Sequence, residues 1–420
     1  MAMVARRAEA AVSQRSTRTL LKRSRPEWAL RGCLAVGALA LGAVSIMQAL
    51  GFVVAGTDPS SGYALAPGDG RIAGRYAERQ IAETGKWQPR TALIARNALV
   101  DEPIAPAALT AMAIEAQLRS QPGDARRLLV HSDRLSRRNL GTRLLMIEDA
   151  VSRGNIVDAL YHYDVALRTS RNAFDTLFPV LSSALGDPAI VPAMADLLVK
   201  QPPWGESFLR YVLTSPAELD PLASLFNALI DRGLRVPGDV MAKLVDTFAT
   251  RGAVANAWSF YGRSRTRLDP RRSRDPDFSA QHSDPTIFDW TPVLSETGIA
   301  ASIQRTADGG VFEFSAAPTV GGIVLQQMQV LPAGRYRLRG QTADINQSSS
   351  ARPYWALVCT DAREIGRVDL DAAGRFDGVF DVRDDCPAQL LRLIARPSSA
   401  VGGVSGRVER AILQPVGITL

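Results

Sequence analysis

The sequence is poor in the residues that most often mark an active site or a metal site. Its 420 residues include three cysteines and three histidines, too few for a disulfide-dense scaffold or a histidine-rich metal protein. It has no Walker loop, no G-x-G-x-x-G after a predicted strand, no H-E-x-x-H, no C-x-x-C and no G-x-S-x-G. We therefore expect a protein that is not an enzyme and has no cofactor. The alternative is a polysaccharide-modifying enzyme, because paired carboxylates meet in space and leave no motif.

Positive charge is concentrated at the N-terminus. The formal net charge is +7, and residues 1–31 hold eight basic and two acidic side chains, which leaves +1 for the other 389 residues. A nearly neutral body lacks the basic surface of a nucleic-acid-binding protein. We interpret residues 1–31 as a basic cytoplasmic tail and expect no nucleic-acid partner.

The longest uncharged run of the sequence extends from residue 32 to residue 57. About 20 helical residues cross a bilayer core, so residues 32–56 are predicted to form a transmembrane helix and 57–68 a linker. Arg31 precedes the run and Asp58 follows it, and the positive-inside rule then leaves the tail in the cytoplasm. We expect a single-pass protein of the bacterial inner membrane with most of its chain in the periplasm. The alternatives are a signal peptide cleaved near Val53-Val54-Ala55 and a long buried core helix.

Residues 69–262 have the apolar spacing of α-helices separated by polar turns. Glycine-containing turns recur at spacings of 31, 32 and 66 residues, at Gly123-Asp124, Gly154-Asn155, Gly186-Asp187 and Gly252-Ala253. A period in the low thirties is typical of helical hairpins stacked into a solenoid. The alternative is a plain α-helical domain in which the spacing is coincidental.

One stretch of this region resembles the second half of a tetratricopeptide repeat. It reads Gly154-Asn155…Ala159…Tyr163…Ala166, and Gly252…Ala257…Tyr261 repeats the spacing. The resemblance implies a scaffold that binds protein partners on a concave surface.

The composition changes over residues 263–286, where six arginines alternate with aspartate, serine and three prolines. We interpret this segment as a solvated linker or as an ordered strap over a surface. Seating on an anionic glycan is a further alternative. His282 is expected to be exposed and without a role.

Residues 287–420 change to a β pattern with turn signals between short apolar runs. Nine strands are predicted, at 301–306, 310–315, 322–330, 335–342, 354–360, 364–370, 375–382, 388–396 and 406–414. Many short strands of this kind are typical of an antiparallel β-sandwich.

This last segment resembles the jelly-roll sandwiches of carbohydrate-binding modules. The resemblance lies in Phe288-Asp289-Trp290, in the run from Val330 to Leu338, and in Trp355…Cys359…Cys386. It implies a sugar-binding domain. The layout of anchor, helical repeats and sandwich is similar to that of membrane-anchored repeat proteins associated with envelope polysaccharide production.

A sugar site of this kind combines an aromatic platform with hydrogen-bonding side chains. The candidate glycan-binding residues are Tyr354, Arg337, Arg339, Gln341 and Arg392. Tyr354 is preferred to Trp355 as the platform, because Trp355 alternates in phase with Leu357 and Cys359 and is expected in the core. We assign no metal, although Asp369, Asp371, Asp384 and Asp385 are candidate ligands for a structural Ca²⁺.

Cys359 and Cys386 are candidates for a disulfide. An extracytoplasmic compartment permits the bond, and closing a loop of 27 residues would add roughly 3 kcal/mol of stability. The alternative is a pair of buried free thiols.

These observations predict a non-enzymatic scaffold or accessory subunit of envelope or exopolysaccharide biosynthesis or export. The helical repeats would bind protein partners and the sandwich would bind glycan. One alternative is an envelope assembly factor that binds only proteins. The other is the polysaccharide-modifying enzyme, which would require acidic residues of the sandwich such as Asp377 or Asp381.

Overall fold

A helical region precedes a two-sheet β-sandwich, which confirms the predicted fold class. The computed structural model describes residues 25–265, 268–294, 298–306, 309–345 and 347–417. Within these ranges it contains fourteen α-helices and ten β-strands. The chain divides into two compact units, Met1–Leu177 and Phe178–Leu420, which are described in turn. Most of the predicted basic tail, residues 1–24, lies outside the described residues, and the predicted domain boundaries stay predictions.

The first unit consists of one long helix followed by shorter ones. Its helices are α1 (Arg25–Val54), α2 (Pro59–Leu65), α3 (Gly70–Thr84), α4 (Pro89–Asp101), α5 (Pro106–Leu118), α6 (Pro122–Leu135), α7 (Leu140–Ser152) and α8 (Ile156–Thr169). Helix α9 (Ala173–Ala184) contains the division between the units. The second unit continues with α10 (Ile190–Leu198), α11 (Gly205–Thr214), α12 (Leu219–Asp231), α13 (Gly238–Thr250) and α14 (Val254–Ser264).

Helix α1 is apolar on every side. Its segment Pro26–Val54 carries charged side chains only at Glu27 and Arg31, and Leu39 near its middle is 75% exposed. An all-round apolar helix needs a lipid or protein environment, and this length and composition fit a membrane span or a signal sequence. The helix begins seven residues before the predicted start, because a proline suits its first turn and Glu27 forms an ion pair of 3.2 Å with Arg31.

The C-terminal end of α1 packs closely against the short helix α2. Ala55, Ala66 and Ile72 form a small buried cluster there. A Cβ atom on Gly62 would lie 2.5 Å from the Cβ atom of Ala55, so this approach requires glycine at position 62. The first residues after the apolar helix therefore belong to the folded helical unit.

Residues about one repeat apart contact each other along the helical region. Three such pairs, 32 or 33 residues apart, are Thr110 Oγ1 with Thr142 Oγ1 at 2.8 Å, Ser182 Oγ with Ser215 Oγ at 3.1 Å, and Arg263 Nη1 with Asp231 Oδ1 at 2.8 Å. Consecutive helices pack together throughout the first unit, and next-but-one helices such as α3 and α5 in the first unit and α10 and α12 in the second also pack together. This is the contact pattern of stacked helical hairpins.

Three of the four predicted glycine turns lie between helices. Gly154 and Gly252 have φ values of +68° and +86°, a region that favours glycine, and Gly186 lies between α9 and α10. The prediction of a turn at Gly123 is wrong, because Pro122 begins α6 and Gly123 lies in its first turn.

The sandwich consists of two five-stranded antiparallel sheets. Its strands are β1 (Thr291–Pro292), β2 (Ile299–Thr306), β3 (Gly309–Ala316), β4 (Gly322–Gln329), β5 (Gly334–Ala343), β6 (Tyr354–Cys359), β7 (Glu364–Asp369), β8 (Arg375–Val382), β9 (Gln389–Ala395) and β10 (Val404–Pro415). The first sheet has the order β1-β4-β9-β6-β7 and the second the order β2-β3-β10-β5-β8. Strands β3 to β10 have the eight-strand, two-sheet arrangement of a jelly roll. Strand β1 was not predicted, since it has only two residues.

Aromatic side chains fill the space between the sheets. Trp355 is fully buried, with its ring 5.9 Å from that of Trp290 and 5.5 Å from that of Phe376. Trp290 directly precedes β1, Trp355 lies in β6 and Phe376 lies in β8, so the three rings connect the two sheets. Trp355 is therefore a core residue, as its alternation with Leu357 predicts.

The described part of the arginine-rich segment, residues 268–286, lies as a strap across the sandwich. The backbone N–H of Ser273 donates to the carbonyl of Leu413 at 3.0 Å, and the indole N–H of Trp290 donates to the carbonyl of Asp275 at 2.8 Å. Phe278 is fully buried in the sandwich core. Of the alternatives left open by the sequence, the structure has the ordered strap.

Candidate functional site

A broad polar groove lies on the outer face of the second sheet. Strand β5 points Tyr336 and Leu338 into the core, so its alternate residues Arg337, Arg339 and Gln341 point outward. The groove has a volume of about 900 Å³ and lies over β5, β8 and β10. We call it the outer groove and define it by Arg339, Gln341, Asp369, Asp371, Arg375, Asp377, Glu409, Arg410 and Ile412.

Most carboxylates of the outer groove are held by arginines. Arg337 forms a two-point ion pair with Asp377, with Nε 2.6 Å from Oδ1, and this hydrogen bonding lowers the pKa of Asp377. Asp371 accepts the backbone N–H of Arg375 at 2.8 Å and its guanidinium at 3.2 Å, which lowers the pKa of Asp371. Both carboxylates are therefore ionised at neutral pH.

Three polar side chains of the groove are available to bind a ligand. Among the described residues, no carboxylate lies within 4.0 Å of Arg339 or Arg410, and Gln341 has no side-chain hydrogen bond. The register places Arg410 opposite Gln341, and Arg339 opposite Asp377. The groove thus offers donors and acceptors side by side.

Tyr354 and Arg392 do not belong to the outer groove. Tyr354 is opposite Ile394, and Arg392 is opposite Ala356, on the outer face of the first sheet. The two sheets enclose one core, so this face is on the other side of the sandwich. The five candidate glycan-binding residues therefore divide into two groups that cannot share one site. Strand alternation does not reveal this division, because it does not say which sheet a strand joins.

The ring of Tyr354 is already engaged by cations. The guanidinium carbon of Arg367 lies 4.0 Å from its centroid and that of Arg396 lies 4.7 Å away, which is cation–π geometry. A sugar stacking on Tyr354 would have to displace an arginine. Arg392 on the same face is half-buried, and its burial lowers the pKa of its guanidinium.

Cys359 and Cys386 are joined by a disulfide in the structure, with their Cα atoms 5.7 Å apart. The bond ties the end of β6 to the loop before β9. Arg363 reinforces the same corner by pairing with Asp385 at 2.7 Å.

The four aspartates considered for calcium are not gathered into one site. Asp369 pairs with Arg396, Asp371 with Arg375, and Asp385 with Arg363. Searching the described residues finds no group of three or more histidine, cysteine or acidic side chains that could hold a metal ion.

Sequence reasoning missed four residues of the outer groove, Arg375, Glu409, Arg410 and Ile412. Two of them, Glu409 and Arg410, are adjacent in β10. Strand β10 alternates until Val408, and its pairing with β5 then shifts between Val408 and Arg410. This β-bulge turns two consecutive side chains outward, and both are exposed. The signal was present in the sequence, since two adjacent charged residues interrupt an otherwise alternating strand.

A second polar cluster joins α14 to the sandwich within the second unit. The hydroxyl of Tyr261 donates to Oδ1 of Asp289 at 2.7 Å, and the backbone N–H of Thr286 donates to Oδ2 at 2.9 Å. Burial raises the pKa of Tyr261. The expectation that His282 is exposed is wrong, because its side chain is half-buried with Nε2 3.5 Å from Oδ1 of Asp289; that it has no role stays a prediction. Asp289 was noted in the sequence only for its place beside Trp290.

Arg274 of the strap is held by the same junction. Its guanidinium donates to the carbonyl of Phe288 at 2.9 Å and to Oε1 of Gln329 at 3.1 Å. The rings of Trp258 and Phe288 lie 5.3 Å and 5.8 Å from it. Burial lowers the pKa of Arg274 to about 10, so it stays charged at neutral pH. This cluster fastens the strap and the last helix to the sandwich.

Matches to known proteins are found among solved structures. No protein-family model matches the chain, and no curated protein is a significant match. Among solved structures, the glycosylation-associated protein (Gap123) complex of Streptococcus agalactiae has 11% identity and a TM-score of 0.20, over 29% of this chain and 42% of that one. A structure of accessory secretory proteins 1, 2 and 3 from Streptococcus pneumoniae has 9% identity and a TM-score of 0.20, over 30% of this chain and 99% of that one. These values carry no argument about function.

Proposed function

We propose that the protein is a membrane-anchored, non-enzymatic accessory subunit of bacterial envelope polysaccharide production. Helix α1 anchors it in the inner membrane, the remaining chain lies in the periplasm, and the sandwich binds glycan in the outer groove. The observation that carries the proposal is the set of three polar side chains, Arg339, Gln341 and Arg410, that face the groove and have, among the described residues, no side-chain hydrogen bond or ion pair within 4.0 Å.

The chemistry of the groove suits sugar hydroxyls. Each hydroxyl donates one hydrogen bond and accepts two, and the groove presents guanidinium and amide donors beside carboxylate acceptors. Three arginines and four carboxylates line it, so it has little net charge and favours a polar polymer over a strongly anionic one. Its volume of about 900 Å³ lies within the usual range for ligand sites.

The placement outside the cytoplasm is supported by the charge on either side of α1. The cytoplasmic side of a membrane helix usually carries the excess of arginine and lysine, and here the basic residues precede the helix. A periplasmic compartment also permits the Cys359–Cys386 disulfide.

The ion pairs of two aspartates of the sandwich, Asp377 and Asp381, support the absence of catalysis. A glycosidase needs a carboxylic acid whose pKa is raised, so that it can donate a proton. The pKa of Asp377 is instead lowered by Arg337, and Asp381 pairs with Arg335 at 3.1 Å on an exposed surface.

The test is binding of the full-length protein, purified in detergent, to polysaccharide extracted from the envelope of its own cell. Titration calorimetry should give saturable binding that Q341A/R410A weakens by at least about tenfold, because two ligand contacts are lost. The control is R383A, which removes an exposed arginine outside the groove. Loss of binding in Y354A/R392A, with Q341A/R410A unchanged, would place the sugar on the opposite face. Absence of binding to every fraction would remove the glycan function.

A purely protein-binding assembly factor is the second candidate, and exposed apolar residues favour it. Leu93 and Val100 on α4 are 57% and 79% exposed, and Val157 and Tyr161 on α8 are 73% and 48% exposed. Spacings of seven and four residues place each pair on one helix face. This candidate predicts that a partner co-purifies stoichiometrically from native membranes without glycan, and that V157S/Y161S releases it while the glycan variants do not.

A further inference from the structure

A second charged cavity lies in the first unit, where the chain leaves the apolar helix. It has a volume of about 560 Å³, and Ala55, Gly56 and Pro59, which follow α1, form one wall. The other walls come from α3, the start of α5 and the start of α7. We call it the membrane-proximal cavity, and its charged lining residues are Arg71, Arg75, Glu78, Arg79 and Arg138.

The cavity is strongly positive. Among the described residues, Arg75 and Arg138 have no ion-pair partner within 4.0 Å, and the guanidinium of Arg75 lies 5.4 Å from the Phe52 ring centroid. Arg71 lies 3.8 Å from both Asp69 and Glu102, and Arg79 pairs with Glu83. Unpaired cations beside paired ones leave a site that attracts an anion.

The only acidic side chain in the cavity lining is partly neutral at physiological pH. The side-chain amide of Asn139 donates to Oε2 of Glu78 at 3.4 Å. Burial raises the pKa of Glu78 to about 7. The other charged groups in the cavity lining are Arg71, Arg75 and Arg79 from α3 and Arg138 from the segment before α7. The lining residues that follow α1 and those at the start of α5 have no titratable side chain. Even when ionised, the carboxyl of Glu78 offsets one of the four arginine charges in the lining.

We infer that the membrane-proximal cavity binds the phosphate group of an anionic membrane lipid, with Arg75 and Arg138 as its cationic contacts. The inference rests on the proposed anchoring by α1. If that helix crosses the bilayer, the residues of the cavity wall that follow Val54 lie at the depth of the lipid headgroups. Arginine pairs with phosphate in a two-point geometry, and the N-terminus of α7 adds a partial positive charge on the same side.

The experiment measures binding of short-chain phosphatidylglycerol, short-chain phosphatidylcholine and inorganic phosphate to the full-length protein in a non-ionic detergent. We expect phosphatidylglycerol to bind more tightly than the other two. The variant R75A/R138A should lose at least about tenfold in affinity for it, since both cationic contacts to the phosphate are removed. R138A alone tests the same contact at an exposed residue whose loss does not disturb the fold. R134A, an exposed arginine on α6 outside the cavity, is the matched control and should bind as the unaltered protein does.

Two results would overturn the inference. Equal affinity for phosphatidylglycerol and inorganic phosphate would mean that the ligand is a free phosphate and not a lipid. Equal affinity of R138A, R75A/R138A and the unaltered protein would mean that the cavity is not the site. Two other experiments test the proposed function separately. If α1 is not an anchor, alkaline carbonate releases the protein from membranes. If the outer groove does not bind glycan, only the titration with Q341A/R410A shows it.

Discussion

Glu78 is an acidic side chain whose surroundings favour its neutral form. Its carboxyl lies beside the first turn of α7, where a Cβ atom on Gly141 would meet it at 1.8 Å. The glycine therefore leaves the space that this carboxyl occupies. Burial outweighs the hydrogen bond from Asn139 and the charge of Arg75, both of which lower the pKa, and the result is a pKa of about 7.

This shift predicts how stability depends on pH. A carboxyl whose pKa is raised from its ordinary value of 4.5 to about 7 on folding opposes folding once it ionises, so stability falls as pH rises through that window. E78Q should therefore raise the melting temperature of the full-length protein at about pH 8. The gain corresponds to at most about 3 kcal/mol, at 1.36 kcal/mol for each pKa unit.

Most of that gain should disappear at about pH 5, where Glu78 is protonated in the folded protein. The control is E83Q on the same helix, where the carboxylate is exposed and paired with Arg79; its difference from the unaltered protein should be small at both pH values. An equal gain for E78Q at both pH values would contradict the assignment.

At the scale of the element, the corner between β6 and β9 depends on the bond between Cys359 and Cys386. The bond closes 27 residues and should contribute about 3 kcal/mol in the chain-entropy model. C359S/C386S should lower the melting temperature of the protein to that of the reduced, unaltered protein. C33S, which alters the exposed cysteine of α1, should leave the melting temperature unchanged. If reductant does not lower the melting temperature of the unaltered protein, the two thiols are free in solution.

Strand alternation in the sequence was enough to find β5 and its outward arginines. Tyr336 and Leu338 alternate with Arg335, Arg337 and Arg339, and the backbone geometry of any strand turns these sets to opposite faces. The sequence did not show that Tyr354 lies on the other sheet, because sheet membership depends on pairing with strands far along the chain. Likewise, the strand Thr291–Pro292 does not follow from local pattern alone, because two residues are too few to show alternation.

In the helical region, too, local sequence predicts the elements but not the contacts between distant ones. The period in the low thirties follows from turn residues such as Gly154 and Gly252, whose left-handed backbone only a few residues adopt easily. The cavity around Glu78 could not be foreseen, since it forms where α3, α5 and α7 meet. Glu78 and Asn139, which contact each other there, are 61 positions apart in the sequence. Repeats therefore predict the path of the chain better than the sites that it forms.

At the scale of the whole molecule, α1 decides where every other surface operates. The outer groove can meet envelope glycan, and the membrane-proximal cavity can meet lipid, only if this helix brings the chain to the membrane. Leu39 and Leu41 are 75% and 72% exposed, so nothing in the described protein covers them and lipid is the environment that would. An N-terminal tag should stay on the membrane-bound protein if α1 is an anchor and be lost if α1 is a cleaved signal sequence.

The sharpest test of the anchor places charge in the middle of α1. Replacing one leucine by arginine near the centre of a membrane helix makes the free energy of insertion less favourable by about 3 kcal/mol. L39R/L41R should make it less favourable by about twice that amount and so prevent insertion. The variant should move from the carbonate-resistant membrane fraction to the soluble or aggregated fraction, and a periplasm-dependent reporter fused after Leu420 should lose activity. L39A/L41A keeps the segment apolar and should behave as the unaltered protein. If L39R/L41R stays in the membrane with an active reporter, α1 is not the anchor and both proposed sites lose their location.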